Sequence, residues 1–198
     1  IQTIKTHSSG SQLDLTNQSE DFTIEVGAGT DNVKGGSGAD TIKVNSAGQG
    51  NADTLDGGAG TSDILQLSSG SHSFTDNSKL ANVETIKGHA SSATTVVLTG
   101  QLETLKVDGG SAGDTITGGN GDDIITGGGG DDIIAGGAGD DSLTGNADND
   151  TFKVDGGTDT ITDLATGDIV VVSNSAKAQA TGITAFEACL LYTSPSPR

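Results

Sequence analysis

The sequence predicts an all-β fold, a right-handed parallel β-roll of the β-solenoid type. Three observations predict it. Aspartate recurs every nine residues, at Asp114, Asp123, Asp132, Asp141, Asp150, Asp159 and Asp168. Each is followed two residues later by an apolar side chain: Ile116, Ile125, Ile134, Leu143, Phe152, Ile161 and Val170. Glycine supplies 32 of the 198 residues, about twice its usual share. No stretch carries the 3.6-residue apolar period of a surface helix over several turns.

The segments follow in order. Residues 1–25 read as leading solenoid rungs, because "IQTIK" (1–5) and "DFTIE" (21–25) are the same strand phrase repeated after about one rung. Residues 26–66 form a first glycine block. "VGAGTDNVK" (26–34) and "GGSGADTIK" (35–43) carry Asp31 and Asp40 with Val33 and Ile42 after them. "GQGNADTLD" (48–56) resumes after an insertion at 44–47 and carries Asp53, and "GGAGTSDIL" (57–65) has an extra residue before Asp63. Residues 67–108 lose the glycines, yet "VETIK" (83–87) and "LETLK" (102–106) keep a slower period. They read as rungs of the same solenoid, with Glu84 and Glu103 as solvated strand residues. Residues 109–171 form the second glycine block and 172–188 a β flank. Throughout, the expected rung is about 18–20 residues, two nonapeptides per turn.

The last ten residues, "CLLYTSPSPR" (189–198), hold the only Cys, the only Tyr, both Pro and the only Arg. They resemble a translated sequencing adapter and are set aside as a tail foreign to the rest. The chain starts at Ile1 and contains no Met, which reads as an internal piece of a longer frame.

Each nonapeptide divides into a six-residue turn, G-G-x-G-x-D, and a three-residue strand, x-U-x, where U is large and apolar. Side chains alternate along a strand, so U points inward and its neighbours outward. Two units close one turn, which stacks unit n on unit n+2. Two columns of aspartates follow: Asp114, Asp132, Asp150 and Asp168 on one edge, Asp123, Asp141 and Asp159 on the other. Strands stack at ~4.8 Å. At that spacing each adjacent carboxylate pair costs roughly 1–3 kcal/mol at an effective dielectric of 20–80.

The formal charge is −18, and of 27 acids 22 are Asp. Such a surface excludes nucleic acid, whose phosphates need Lys and Arg, and an anionic membrane. No apolar run is long enough for a transmembrane helix. Cations are the favoured partners. Carboxylates beside flexible glycine turns offer hard oxygen ligands, which suit Ca²⁺ better than Mg²⁺. No thiolate or imidazole cluster invites a softer metal. His7, His72 and His89 are scattered and read as surface residues.

The phrase G-G-x-G-x-D-x-U-x resembles the RTX, or hemolysin-type, calcium-binding repeat. The likeness covers 26–65 and 109–171, and 118–144 match at every position. It implies two RTX blocks joined by calcium-free rungs, with several Ca²⁺ ions between stacked turns. It also implies the ligands: carbonyls of positions two and four with the aspartate of one unit, and positions one, three and six of the unit above. Carried over, one site is Gly110, Ala112 and Asp114 with Gly127, Gly129 and Asp132. The next is Gly119, Gly121 and Asp123 with Gly136, Ala138 and Asp141. A third is Gly128, Gly130 and Asp132 with Gly145, Ala147 and Asp150. A fourth runs from Gly137, Gly139 and Asp141 to Asp159, where Val154 replaces a glycine. In the first block, insertions interrupt the pairs Asp31/Asp53 and Asp40/Asp63.

The resemblance implies a calcium-binding module of a secreted or cell-surface bacterial repeat protein, adhesin or surface-layer-like. Such a module folds on calcium after type I export and packs against neighbouring repeats or a surface assembly. The alternative is the RTX region of an exported protease, lipase or toxin. No zinc-binding histidine pair is present, and the chain itself is expected not to be an enzyme.

Overall fold

A computed structural model describes residues 2–46, 52–173 and 176–181. The 189–198 tail, residues 182–188 of the β flank and part of the first-block insertion lie outside the described residues. Among the described residues there are twenty strands and no helix, hence none long and apolar enough to cross a membrane.

The first three turns hold β1 (Gln2–Lys5), β2 (Gln12–Asp14), β3 (Phe22–Val26), β4 (Asn32–Lys34), β5 (Thr41–Val44) and β6 (Thr54–Asp56). The middle holds β7 (Ile64–Leu67), β8 (Gly70–Ser73), β9 (Leu80–Ala81), β10 (Thr85–Lys87) and β11 (Thr94–Val97). The second glycine block holds β12 (Lys106–Gly110), β13 (Thr115–Thr117), β14 (Ile124–Gly128), β15 (Ile133–Ala135), β16 (Ser142–Asn146), β17 (Thr151–Val154) and β18 (Thr158–Ile161). β19 (Ile169–Val172) and β20 (Lys177–Ala180) complete it.

Every strand pair is parallel, as a roll requires. One face is a continuous ten-stranded sheet, β1-β3-β5-β7-β10-β12-β14-β16-β18-β20. The opposite face is divided into a four-stranded sheet, β2-β4-β6-β9, and a six-stranded sheet from β8 to β19. The division falls in one turn, which supplies both β8 and β9. That turn lacks the glycine loop that sets a nine-residue half-turn, so its chain accommodates two short strands.

The 18-residue rung holds through the second block, where Ile125 pairs with Leu143 and Ile116 with Ile134. Outside it some rungs keep the expected 18–20 residues, as Ile24 with Ile42 and Leu13 with Val33, and others exceed it. Val33 pairs with Leu55, Ile42 with Leu65, and His72 with Val96. The strands keep register while the turns absorb the extra residues, because loop length costs little once the ends are fixed.

The U residues form the core. On the long sheet Ile24, Ile42, Leu65, Ile86, Val107, Ile125, Leu143 and Ile161 lie in one buried column. Facing it are Val33, Leu55 and Leu80 on the four-stranded sheet and Val96, Ile116, Ile134 and Phe152 on the six-stranded one. Each such side chain contributes roughly 1.5–3 kcal/mol by leaving water. His72 heads the six-stranded column and is 1% exposed, which corrects its reading as a surface residue. Its Nε2 lies 2.9 Å from the Ser68 carbonyl, and burial lowers its pKa.

Candidate metal centres

The unit 127–132 shows how the turn is built. A Cβ on Gly127 would collide with the Asp132 carboxylate. Gly128 has φ +121°, and a Cβ there would collide with the Gly110 carbonyl one turn below. Only glycine meets both demands. The aspartate thus folds back beneath its own turn, against backbone that has no side chain to displace it.

Stacking then brings the aspartates together in pairs. The N–H of Asp114 donates to Oδ1 of Asp132 at 2.7 Å, that of Asp132 to Asp150 at 2.9 Å and that of Asp150 to Asp168 at 2.9 Å. On the other edge Asp123 donates to Asp141 at 2.8 Å and Asp141 to Asp159 at 3.2 Å. The first block has the same relation despite its insertions: Asp31 donates to Asp53 at 2.9 Å and Asp40 to Asp63 at 2.7 Å.

One oxygen of each accepting carboxylate is thereby used. The other is stranded in most of them. Oδ2 of Asp53, Asp63, Asp114, Asp132, Asp141 and Asp159 is buried without a hydrogen-bond partner, and so are both oxygens of Asp31. Asp40 and Asp123 differ: their Oδ2 atoms accept the N–H groups of Gly36 and Gly119, each at 2.8 Å. A buried carboxylate oxygen without a donor is costly.

Burial first, with neighbouring carboxylates adding to it, pushes Asp132 and Asp141 up to about 7. The hydrogen bond from the N–H of the turn below opposes this without cancelling it. Asp63 and Asp150 rise to about 6, and Asp53, Asp114, Asp123 and Asp159 are raised as well, burial being the main cause throughout.

Backbone carbonyls approach the same places. The position-one carbonyls of Gly127 and Gly136 point down onto Gly109 and Gly118, whose added Cβ atoms would also lie 2.6 and 2.7 Å from Oδ2 of Asp114 and Asp123. The position-two carbonyl of Gly119 reaches up beneath Gly137, and the position-four carbonyl of Gly121 beneath Gly139. The carbonyls of Gly110, Gly119 and Gly128 also accept the N–H groups of Gly129, Ala138 and Ala147 at 3.0–3.1 Å. Ala112 lies under Gly130, and Gly145 lies against the Asp150 carboxylate.

Among the described residues no three His, Cys, Asp or Glu side chains form a metal-holding group. Any ion must therefore be shared between carboxylate and carbonyl oxygens. That donor set, with stranded Oδ2 atoms waiting in it, fits a hard divalent cation.

A family model described as the RTX calcium-binding nonapeptide repeat, in four copies, matches residues 23–46, 108–143 and 129–161. The chain carries RTX repeats. No curated protein and no solved structure matches it. RTX repeats bind calcium, and the matched RTX segments contain Asp31, Asp40 and the aspartates from Asp114 to Asp159. Asp53 and Asp63 lie outside them, yet they complete pairs begun by matched residues.

Two features escaped sequence reading. The outer aspartates of the RTX units form a second ladder of opposite polarity. Oδ1 of Asp122 accepts the Asp140 N–H at 2.8 Å, Asp131 that of Asn149 at 2.9 Å and Asp140 that of Thr158 at 2.7 Å. These side chains are exposed, so they tie turns together from outside. Glu84 was the other: it lies just before β10, outside the strand, and accepts the Asp63 N–H at 2.7 Å. The alternating D-D pattern was a visible signal for the first feature; nothing in the glycine-poor segment announced the second.

Proposed function

We propose that the chain is a calcium-binding β-roll module of a secreted or cell-surface bacterial repeat protein, adhesin- or surface-layer-like, that folds as it meets calcium outside the cell. The observation that carries the calcium reading is the row of buried Oδ2 atoms without partners. Bound calcium supplies positive charge between adjacent turns. The protein's part is to hold the carboxylates in pairs, one oxygen fixed on the backbone and the other left for the ion. The ligand sets implied by the family's motif are those we assign to each pair.

The energetics suit a switch. Extracellular calcium modules bind at about 10⁻⁴–10⁻³ M. At ~10⁻⁴ M per site and ~1 mM calcium, each site adds about 1.4 kcal/mol of stability. Four independent sites add roughly 5–6 kcal/mol, comparable with the whole stability of a small domain. At cytosolic calcium the contribution vanishes. The glycine-poor turns continue the same sheet through residues 67–108, which favours an extended surface repeat over the tail of an exported enzyme. In this reading the module binds and does not catalyse.

Limited proteolysis across a calcium series tests it. Protection should appear between micromolar and millimolar calcium. Full protection already below micromolar calcium contradicts folding upon export.

A further inference from the structure

We propose that Asp63, Glu84 and the Asn82 carbonyl hold one more hard divalent cation, at the junction between the first glycine block and the turns expected to be calcium-free. The inference rests on the calcium reading above and extends it to Glu84 and Asn82, which lie outside any repeat motif.

Register places the pair. Ile64 is opposite Thr85 and Leu65 opposite Ile86, so Glu84 stands over Asp63 as Asp132 stands over Asp114. The same bond joins them: the Asp63 N–H donates to Glu84 Oε2 at 2.7 Å. Asp63 is 1% exposed and its Oδ2 has no partner.

The carbonyl follows the same plan. In the repeats, a Cβ on the first glycine of a unit would meet two oxygens at once, its own aspartate's Oδ2 and the carbonyl of the first glycine one turn above. That holds at Gly109, Gly118 and Gly35. At Gly57 the added Cβ would lie 2.8 Å from Asp63 Oδ2 and would collide with the carbonyl of Asn82. Asn82 has no glycine-block partner in sequence, yet its backbone is left-handed, φ +50°. Its Nδ2 donates to Asp56 Oδ1 at 2.7 Å, which anchors the turn. Two oxygens thus converge on the Gly57 turn as they do in the repeats, with a second carboxylate above.

The electrostatics agree. The salt bridges formed among the described residues are Lys5–Glu25 and Lys34–Asp56, so no ammonium group is paired with Asp63 or Glu84. Burial first, then the carboxylates of Glu84, Asp40 and Asp56, push Asp63 up to about 6. A cation there relieves all of them. It would also carry the ionic stacking across the turn where β8 and β9 divide the second face.

The test is the number of calcium ions bound per chain at saturating calcium chloride, by equilibrium dialysis and metal analysis. Glu84→Gln keeps an oxygen for the Asp63 N–H and removes the charge. It should bind one ion fewer than the parent, while Glu103→Gln, an exposed acid of the next turn outside the register position of Glu84, should bind the full number. A full count in Glu84→Gln overturns the site. If Glu84→Gln loses its far-ultraviolet β signal, Glu84→Lys decides, since its ammonium replaces the ion beside Asp63. A count one short in the folded lysine variant supports the site, and a full count overturns it. A parent chain that binds no calcium at all overturns the repeat reading itself, and this site with it.

Discussion

Asp132 stands directly over Asp114: its Oδ1 accepts the Asp114 N–H at 2.7 Å, while its Oδ2 is buried with no partner. One carboxylate therefore has two tasks. Half of it closes the backbone ladder between turns, and the other half is left with an unmet charge. Without a cation that charge opposes the stacking which the first half makes. The consequences below follow from that conflict.

The first is a pH dependence that reverses with calcium. Asp132 and Asp141 sit at about 7 and Asp63 and Asp150 at about 6, and other paired aspartates are raised too. Their ordinary value is 3.8. The folded, calcium-free chain thus holds more protons than the unfolded one between these values. Stability is fullest below the unfolded value and is lost as pH rises through 6 to 7. Buried His72 acts the other way, costing stability as pH falls below 6.5, but it is one group against many. The residual far-ultraviolet β signal of calcium-stripped protein should be greater near pH 5 than near pH 8. Calcium must displace these protons, so its affinity should rise over the same range. A stripped protein more stable at the higher pH contradicts the electrostatics.

Asp132→Asn should have opposite effects in the two states. Asn keeps an oxygen for the Asp114 N–H and loses the charge. Asp132 is assigned to two sites, so about 3 kcal/mol of stability should disappear at ~1 mM calcium. With chelator the variant should equal or exceed the parent, because a buried charge is gone. Thermal melts in calcium and the residual far-ultraviolet β signal in chelator check this. Equal losses in both would mean that the side chain is structural only.

The turn glycines are also separable. Gly128→Ala places a Cβ against the Gly110 carbonyl at φ +121° and should cost about 2 kcal/mol or more. The next unit on that edge keeps the same left-handed backbone without glycine, at Asn146 (φ 73°) and Asp148 (φ 79°). Asn146→Gly should therefore be neutral or stabilise by up to about 1 kcal/mol. Urea titrations of both variants in calcium decide it, and a stabilised Gly128→Ala would contradict the turn geometry.

The thin core makes each U residue count. Ile125 is fully buried between Val107 and Leu143. Ile125→Ala should cost about 2–5 kcal/mol. Since folding and binding are coupled, the variant should also need more calcium to fold. A calcium midpoint unmoved by this substitution would uncouple the two.

The nonapeptide register made the second block legible. A step of nine with an apolar partner leaves one arrangement for Asp114 to Asp159 and for the column from Val107 to Ile161, because period-two alternation and 18-residue stacking allow no other. The glycine-poor turns were legible only as continuing strands. Nothing in "GSHSFTDNSKLANVETIK" marks where one turn would yield both β8 and β9, and nothing marks His72 as inward-facing. Long-range stacking decided both. The Glu84 position was obscured for the same reason: its place over Asp63 depends on a register that turn length alone does not reveal. Rung length was underestimated for the turns between Asp31 and Val107 that carry insertions, because insertions fall in turns, where they are cheap.

The most direct measurement is anomalous diffraction near the calcium edge from crystals grown in calcium chloride. The account predicts a row of peaks along each edge of the roll, between Asp114 and Asp132 and between Asp141 and Asp159, each within ligand distance of the Oδ2 atoms that otherwise have no partner. Edges without anomalous peaks, with those oxygens bonded to protein groups instead, would contradict it.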